Sequence, residues 1–177
     1  MPRDVLVRPT AWADLPAITA IYGEAVSTGA ASFELKTPDV IEMTSRWGNR
    51  VAKKLPHIVA TSADAVVGYA YVSRFRTSAA CRSMVEDSIF VASDAQGAGV
   101  GRALLAELIK LCEQSGFRHM IAQIACENLP SVKLHERLGF QKIGIIESAA
   151  FKHGQWIDTL LVQRALGEGN ASPPHQG

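Results

Sequence analysis

A glycine-rich segment in the middle of the chain has the residue types and spacing that most clearly indicate chemistry. It follows a β-prone run, precedes a regular amphipathic pattern, and reads Gln96-Gly97-Ala98-Gly99-Val100-Gly101-Arg102. Glycines in such a turn let the backbone approach a ligand closely. The first N–H groups of the following helix, at the positive end of its dipole, bind phosphate, and Arg102 would add a charge-assisted contact. The segment therefore predicts a phosphate-binding turn.

Taken alone, this turn has three interpretations. It could be only a tight connection between a strand and a helix. A dinucleotide-binding turn has the pattern Gly-x-Gly-x-x-Gly after the first strand of a parallel unit, whereas these glycines are spaced Gly-x-Gly-x-Gly in mid-chain. The phosphate-binding lysine of a P-loop is also missing. The third interpretation is a cradle for the pyrophosphate of coenzyme A.

A second segment, about thirty residues later, favours the third interpretation. It reads Asn128-Leu129-Pro130-Ser131-Val132-Lys133-Leu134-His135-Glu136-Arg137-Leu138-Gly139-Phe140. The two segments together, in this order and spacing, resemble the motifs of the GCN5-related N-acetyltransferases (GNAT), over about residues 4–165. The resemblance implies the GNAT fold, acetyl-CoA as co-substrate, and transfer of its acetyl group to an amine.

Four further segments resemble one branch of that superfamily, the phosphinothricin and methionine sulfoximine N-acetyltransferases. They cover residues 31–34, 85–91, 131–136 and 151–156. The resemblance implies a small amino-acid-like acceptor whose primary amine attacks acetyl-CoA directly in a ternary complex, and it implies a homodimer. That branch carries a tyrosine shortly before the Val-Glu strand where this chain has Cys81, so we expect part of the acceptor pocket to differ.

Glu86 is the first candidate for the catalytic base. An alkylammonium group, with a pKa near about 10, must lose a proton before it can attack, and a nearby carboxylate can accept that proton. Glu86 lies in an otherwise apolar strand on the same face as Ser88 and Phe90, where desolvation raises the pKa of a carboxyl group. The alternative is a salt bridge at the start of the strand. Asp87 points to the opposite face and is interpreted as structural.

Two further groups would serve the reaction. A backbone N–H near Phe90 or Val91 would stabilise the negative charge that develops on the thioester carbonyl. The subfamily resemblance implies that the pantetheine arm of the coenzyme pairs with the backbone of Ile89, Phe90 and Val91. His135 occupies the position where many superfamily members have a tyrosine, and a histidine can give a proton to the leaving thiolate near neutral pH. The alternative is a histidine that only packs.

Polar residues near these segments are candidates for ligand binding. Asn128 and Ser131 are expected to hold the coenzyme, although helix capping alone would select the same residue types. An arginine fork suits bidentate recognition of a carboxylate or phosphinate, and each arginine taken singly could equally be a solvated surface charge. The residues expected to bind the acceptor are Phe33, Arg74, Arg76, Arg82, Val85 and Glu86.

Bulk composition excludes several other classes of protein. The formal net charge of +1 gives no field suited to nucleic acid or to a membrane surface. No apolar run is long enough to span a membrane. The three cysteines have no spacing typical of a zinc site, and their odd number favours free thiols in a reducing compartment. The first residues lack the apolar stretch of a signal peptide. We therefore expect a cytoplasmic enzyme without a metal.

The elements that position these residues follow from hydrophobic periodicity and from turn residues. Strands are predicted at Val5–Arg8, His57–Thr61, Val66–Ser73, Arg82–Val91, His119–Ala125, Phe140–Ser148 and Trp156–Gln163. Helices are predicted between Asp14 and Gly29, Pro38 and Leu55, Val100 and Gly116, and Pro130 and Leu138. This order predicts an α/β (α+β) domain over residues 1–166, with one twisted mixed sheet flanked by helices on both faces. The tail from residue 167 to 177 is predicted to be disordered.

Two other functions stay open on the sequence alone. One keeps acetyl-CoA but changes the acceptor to a protein N-terminus, a polyamine or an aminoglycoside, although no acidic run suited to an aminoglycoside is present. The other is a coenzyme A-binding module without catalysis. The presence of both Glu86 and His135 argues against it, because binding alone requires neither residue.

Overall fold

The structure is a computed structural model that describes residues 5–29 and 31–174. Within these residues the strands are β1 (Leu6–Pro9), β2 (His57–Ser62), β3 (Ala65–Arg74), β4 (Met84–Val91), β5 (His119–Ala125), β6 (Gln141–Lys152) and β7 (Gln155–Ala165). The α-helices are α1 (Leu15–Thr28), α2 (Val40–Ala52), α3 (Val100–Gln114) and α4 (Leu129–Arg137). The predicted order of strands and helices is confirmed.

The strands form one mixed sheet, as predicted. Its order is β1-β2-β3-β4-β5-β7-β6, so β6 is an edge strand. The pairs β1–β2, β2–β3, β5–β7 and β6–β7 are antiparallel, whereas β4 and β5 are parallel. The helix α3 supplies the crossover that a parallel pair requires.

Two helices begin at residues whose side chains cap them. Asp39 Oδ1 accepts a hydrogen bond from the N–H of Glu42 at 2.8 Å. The helix α2 therefore begins after Asp39, whereas the sequence predicted that it begins at Pro38. Asn128 Oδ1 accepts a hydrogen bond from the N–H of Ser131 at 3.3 Å. Each cap satisfies a donor that has no partner inside the helix.

The chain divides into two compact units. The first comprises the chain up to Tyr71 together with Ile89–Leu108. Its core joins apolar side chains of α1 and α2 to those of β2, β3 and the end of β4: Leu15, Ile18, Ile21, Tyr22, Val26, Met43, Val59, Tyr69 and Phe90. Burial of these side chains holds the strand end that precedes the glycine-rich turn.

The second unit comprises Val72–Ser88 and the chain from Ile109 onward. Val85 of β4 is the register partner of Met120 of β5, and both side chains are fully buried. The parallel pairing of β4 with β5 also makes Glu86 the register partner of Ile121. The register therefore fixes which β5 side chains can lie beside Glu86.

The segment after β7 is tied to the second unit by Arg118. This residue is only 8% exposed, and a buried guanidinium needs acceptors. It donates to Glu168 Oε2 and to Ser172 Oγ, each at 3.0 Å. Both partners lie in residues 167–174, within the tail that the sequence predicted to be disordered. Residues 175–177 of that tail lie outside the described part. No helix in the described ranges has the length and hydropathy that a membrane span requires.

Candidate active site

The glycine-rich turn lies between β4 and α3, and two of its glycines have backbone angles that other residues avoid. The angle φ is +76° at Gly97 and +85° at Gly99, in the left-handed region where a Cβ atom is strained. A Cβ built at either position meets no atom within 4 Å. Space therefore lies open beside this backbone, as a ligand that contacts main-chain atoms would require.

The start of α3 presents backbone donors at this turn. The N–H groups of its first turn have no acceptor within the helix, and Gly99 O already accepts from Ala103 N at 3.0 Å. Gln96, Ala98 and Arg102 are exposed, whereas the Val100 side chain is 2% exposed. Val100 can therefore offer a ligand only its backbone. The arrangement can bind an anion, and phosphate is the anion that suits it.

The end of β4 supports the turn through packing. The Phe90 ring lies edge-on to Tyr22 at 4.9 Å and stacks on Tyr69 at 5.2 Å, measured between ring centroids. The Phe90 side chain is therefore packed in the core, and only the Phe90 backbone is available to a coenzyme. Ile89 and Val91 are half-buried. The contact of these three residues with the pantetheine arm stays a prediction.

Glu86 has the environment of a carboxyl group with altered acidity. Its Oε1 accepts a hydrogen bond from Gln123 Nε2 of β5 at 2.9 Å. Desolvation raises the pKa of Glu86, the Gln123 hydrogen bond opposes that rise, and the charge of Asp87 adds to it; the net direction is upward. A carboxylate with a raised pKa is a stronger base than an exposed one. The alternative was a salt bridge; within residues 5–29 and 31–174 the side-chain partner of Glu86 is a neutral amide.

His135 lies inside the second unit, and both of its ring nitrogens have partners. It is 2% exposed. Nδ1 lies 2.8 Å from the carbonyl oxygen of Ser131, and Nε2 lies 3.1 Å from Asp87 Oδ2. The Asp87 side chain, interpreted from the sequence as structural, is itself buried. The predicted transfer of a proton from His135 to a leaving thiolate would require one of these two bonds to break.

Asn128 and Ser131 lie at the start of α4, where Asn128 caps the helix. Both residues are half-buried. Ser131 Oγ lies 3.5 Å from His135 Nδ1, at the limit of a hydrogen bond. The capping bond thus uses the side-chain oxygen of Asn128. The role of Asn128 and Ser131 in holding the coenzyme stays a prediction.

The three candidate arginines differ in what they contact. Arg74 donates from Nη1 to the carbonyl oxygen of Arg82, and its guanidinium lies 5.0 Å from the Phe117 ring centroid. These contacts join Arg74 to the chain around the 3-10 turn at Ala79–Cys81, and its role in binding an acceptor stays a prediction. Arg82 donates a 3.3 Å bond to a backbone carbonyl of that turn. Arg76 is exposed and lies 5.2 Å from the ring of its neighbour Phe75.

Two other predicted acceptor-binding residues have different surroundings. Phe33 is 41% exposed, so its ring is available to a ligand. Val85 is fully buried. Strand alternation turns the Val85 side chain away from the face that carries Glu86, so only its backbone faces the Glu86 side, and the contact of Val85 with an acceptor stays a prediction.

Sequence reasoning missed two sets of contacts. The first comprises Gln123 and the Asp87–His135 pair, which depend on strand register and helix packing that no local pattern records. The second fixes the loop that carries Phe33. Ser32 Oγ donates to the Tyr22 hydroxyl at 3.1 Å, and Arg46 binds both carboxylate oxygens of Glu34, at 2.7 and 3.2 Å. Ser32 and Glu34 lie in the segment of residues 31–34, whose resemblance to the phosphinothricin branch was the one sign in the sequence that this loop matters.

The described residues contain no group of three or more His, Cys, Asp or Glu side chains that could hold a metal ion. The chemistry present in the described residues is therefore that of one desolvated carboxyl group, a buried histidine–carboxylate pair, exposed guanidinium groups, and a glycine-rich helix start. These groups suit proton transfer from an amine and binding of anionic groups.

Comparisons with known proteins give a consistent picture. A family model described as an acetyltransferase (GNAT) domain matches residues 7–161. The chain is 45% identical over 162 residues to a phosphinothricin N-acetyltransferase of Alcaligenes faecalis, covering 91% of this chain and 82% of that protein. It is 33% identical over 168 residues to an L-methionine sulfoximine/L-methionine sulfone acetyltransferase of Pseudomonas aeruginosa, covering 94% of this chain and 98% of that one.

A solved structure agrees with these relatives. It is the crystal structure of a GNAT superfamily phosphinothricin acetyltransferase from Sinorhizobium meliloti in complex with AcCoA. The TM-score is 0.96 at 43% sequence identity, and the alignment covers 100% of this chain and 95% of that one.

Proposed function

This chain belongs to the GNAT family and is an acetyl-CoA-dependent N-acetyltransferase, and we propose that its acceptor is a small α-amino acid analogue. The acceptor carries a second acidic or tetrahedral polar group, as phosphinothricin and methionine sulfoximine do. Its primary amine attacks the thioester carbonyl of acetyl-CoA directly in a ternary complex: the amide C–N bond forms, the C–S bond breaks, and coenzyme A leaves as its thiolate. The names of the relatives from Alcaligenes faecalis and Pseudomonas aeruginosa support this acceptor class.

The observation that carries the catalytic part of the proposal is the environment of Glu86. Desolvation raises its pKa while the Gln123 amide holds the carboxyl group in place. At neutral pH the deprotonated carboxylate accepts a proton from the acceptor's ammonium group, directly or through one water molecule. The neutral amine that results is the nucleophile, so Glu86 is the general base.

The glycine-rich turn fits the pyrophosphate of acetyl-CoA. The open space beside Gly97 and Gly99 and the free donors at the start of α3 are what a pyrophosphate requires. In this proposal Gln96 to Arg102 hold the pyrophosphate, the backbone of 89–91 holds the pantetheine arm, and Asn128 and Ser131 add polar contacts. When bound, acetyl-CoA supplies the activated acetyl group.

Arg76 and Arg82 are the candidates for binding the acceptor's carboxylate. We favour these two over Arg74, because the guanidinium of Arg74 already contacts the Arg82 backbone and the Phe117 ring. Arg76 is exposed, and the contact found for its guanidinium is with Phe75. A guanidinium in this state can bind a carboxylate through two parallel hydrogen bonds without breaking a structural one.

The exposed edge strand β6 supports a homodimer. Its exposed apolar side chains include Ile143, 58% exposed, Ile145, 59%, and Ile146, 43%. An edge strand with such side chains invites pairing with another chain, and a net charge of only +1 opposes contact between two copies weakly. We place the dimer contact on β6. The unpaired state of Cys81, Cys112 and Cys126 supports a reducing, cytoplasmic compartment.

One assay tests the acceptor class. The purified protein is incubated with acetyl-CoA and a panel of amines: phosphinothricin, methionine sulfoximine, the decarboxylated analogue of the latter, spermidine and a peptide with a free N-terminus. The proposal expects N-acetylation of the first two at the highest kcat/KM. Preference for the peptide or spermidine would move the acceptor to a protein N-terminus or a polyamine. Acetyl-CoA binding without transfer to any amine would indicate a non-catalytic binding module.

A further inference from the structure

The contacts of His135 determine where its protons lie. A carbonyl oxygen only accepts hydrogen bonds, so His135 Nδ1, 2.8 Å from Ser131 O, carries a hydrogen. When Asp87 is ionised, its carboxylate also only accepts, and Nε2, 3.1 Å from Asp87 Oδ2, then carries a second hydrogen. With both ring nitrogens protonated, His135 is an imidazolium and Asp87 is its counter-ion.

The groups around the pair agree with this charge state. Burial opposes the charge on His135, but the hydrogen bond and the charge of Asp87, together with the Ser131 carbonyl, outweigh it and raise the pKa of His135. The Phe140 ring lies edge-on to the imidazole at 4.9 Å. Burial raises the pKa of the Cys112 thiol to about 12, and Asp87 adds to that rise, so the thiol is neutral beside the pair.

Stability alone does not explain a pair of this kind. The side chains of His135 and Asp87 are 3% and 1% exposed. The free-energy cost of taking two charges out of water offsets most of the stabilisation that their attraction provides. Asp87 Oδ1 is also buried and has no hydrogen-bond partner among the described residues, which adds a cost. A well-packed apolar pair would serve stability at least as well.

The position of the pair supplies the explanation. Asp87 directly follows Glu86 on β4, and His135 lies on α4, whose first turn carries Ser131 and whose cap is Asn128. We propose that the Asp87–His135 ion pair is a positioning device: it fixes the strand that carries the base Glu86 against the helix that begins at Asn128. In this assignment His135 acts through Asp87 and does not donate a proton to the leaving thiolate. The inference rests on the proposed role of Glu86 as the base.

The pair also balances charge beside the base. Asp87 raises the pKa of Glu86 through its negative charge. The imidazolium offsets part of that charge, so losing His135 alone leaves an uncompensated carboxylate next to Glu86. Replacing both partners by neutral side chains of similar shape removes the charge and keeps the contact. Loss of His135 alone therefore raises the pKa of Glu86, whereas loss of the Asp87 charge, alone or together with His135, lowers it.

Three variants test the proposal: Asp87→Asn, His135→Gln and the double variant, each in the full chain. In the first variant the introduced amide can donate a hydrogen to Nε2 of a neutral imidazole, so the contact persists. We expect Asp87→Asn to keep kcat within a few-fold and to move the acidic limb of the kcat/KM profile to lower pH. We expect His135→Gln to lower kcat by up to about 100-fold and to move that limb to higher pH.

The double variant gives the decisive result. If the pair only positions Glu86, Asp87→Asn restores much of the kcat that His135→Gln loses, although the protein then has no imidazole at this position. If His135 is the proton donor, the double variant stays as slow as His135→Gln, and the proposal is overturned. Should His135→Gln not fold, Asp87→Asn still decides. If the alkaline limb of the kcat/KM profile of Asp87→Asn moves to lower pH, the proposal is overturned. If that limb is unchanged, the proposal is supported.

Failure of this inference is distinguishable from failure of the proposed function. The function fails if the wild-type protein acetylates no amine of the panel. In that case the same three variants are compared by urea unfolding and by calorimetric titration with acetyl-CoA. Coupling between Asp87 and His135 in both measurements supports a pair that orders α4, and additive effects overturn it.

Discussion

Gln123 and Glu86 are 37 positions apart in the sequence, and the Gln123 amide donates a 2.9 Å hydrogen bond to the Glu86 carboxylate. The parallel register of β4 and β5 places Glu86 opposite Ile121. Gln123, two residues further along β5, has its side chain on the same strand face as Ile121. The base of the proposed reaction is therefore oriented by a neutral side chain, which leaves its charge available for proton transfer.

The Gln123 hydrogen bond lowers the pKa of Glu86 against the larger effect of desolvation. We therefore expect Gln123→Leu to raise that pKa further. Because the base acts when deprotonated, activity lost on acidification is then lost at a higher pH, and the acidic limb of kcat/KM moves upward. The pH profile measures this shift. Gln163→Leu, which changes a glutamine of β7, is the control, and equal profiles for all three proteins would contradict the assignment.

The backbone angle at Gly99 predicts a specific effect of adding one methyl group. At φ of +85° a Cβ is strained although no atom blocks it. Gly99→Ala should cost about 1–2 kcal/mol of stability if the angle is kept, or move the turn and weaken acetyl-CoA binding. Urea unfolding and calorimetric titration measure the two effects.

Gly48 provides a matched control for this prediction. It lies in α2, and a Cβ there also meets no atom within 4 Å. Gly48→Ala should raise stability by about 0.5–1 kcal/mol, because alanine favours the helix, and should leave acetyl-CoA affinity unchanged. Equal acetyl-CoA affinity of Gly99→Ala and the wild type, with equal stability, would show that the turn does not depend on the glycine.

Arg74 and Arg76 are expected to respond differently to replacement by alanine. Arg74→Ala removes a contact with the Arg82 backbone and with Phe117, so it should lower the free energy of unfolding. Arg76→Ala should leave stability within about 0.5 kcal/mol and raise KM for acceptors with a carboxylate. The assay compares methionine sulfoximine with its decarboxylated amine. An unchanged ratio of their kcat/KM values in Arg76→Ala and Arg82→Ala would exclude carboxylate recognition by either residue.

The exposed isoleucines of β6 predict how the oligomer can be disrupted. Ile145→Lys places a charge on the edge strand, which opposes strand pairing between copies. Sedimentation velocity should show a dimer for the wild type and a monomer for this variant. Ile41→Lys changes an isoleucine of α2 that is 76% exposed and should leave the dimer intact. A wild-type monomer, or a dimer unaffected by Ile145→Lys, would contradict a dimer contact on β6.

Local sequence patterns predicted the order of the strands and helices and the position of the glycine-rich turn, for physical reasons that particular residues illustrate. The turn at Gly97 and Gly99 is recognisable because positive φ angles and free helix donors leave a signature within seven residues. Glu86 stands out because a carboxyl group in an apolar strand needs a reason to be there. Both signals are short-range, and the order of strands and helices follows from similar periodic patterns.

Contacts between distant segments could not be predicted in the same way. The partner of His135 is Asp87, 48 positions earlier. The sequence predicts only a structural role for Asp87, because it indicates the strand face of this residue but not its neighbours. Arg118 binds Glu168 and Ser172, which composition alone assigned to a disordered tail. Such pairings depend on register and on helix packing, and neither is fixed by residue type at one position.

The central claim is that Glu86 is the base in acetyl transfer to the amine of a small α-amino acid analogue. The most direct measurement is the rate of N-acetyl methionine sulfoximine formation, followed by mass spectrometry, in the wild type and in Glu86→Gln, with acetyl-CoA affinity measured in parallel. The account predicts a rate about 100- to 10,000-fold lower in Glu86→Gln, with nearly unchanged acetyl-CoA affinity. A near-normal rate in Glu86→Gln would contradict it.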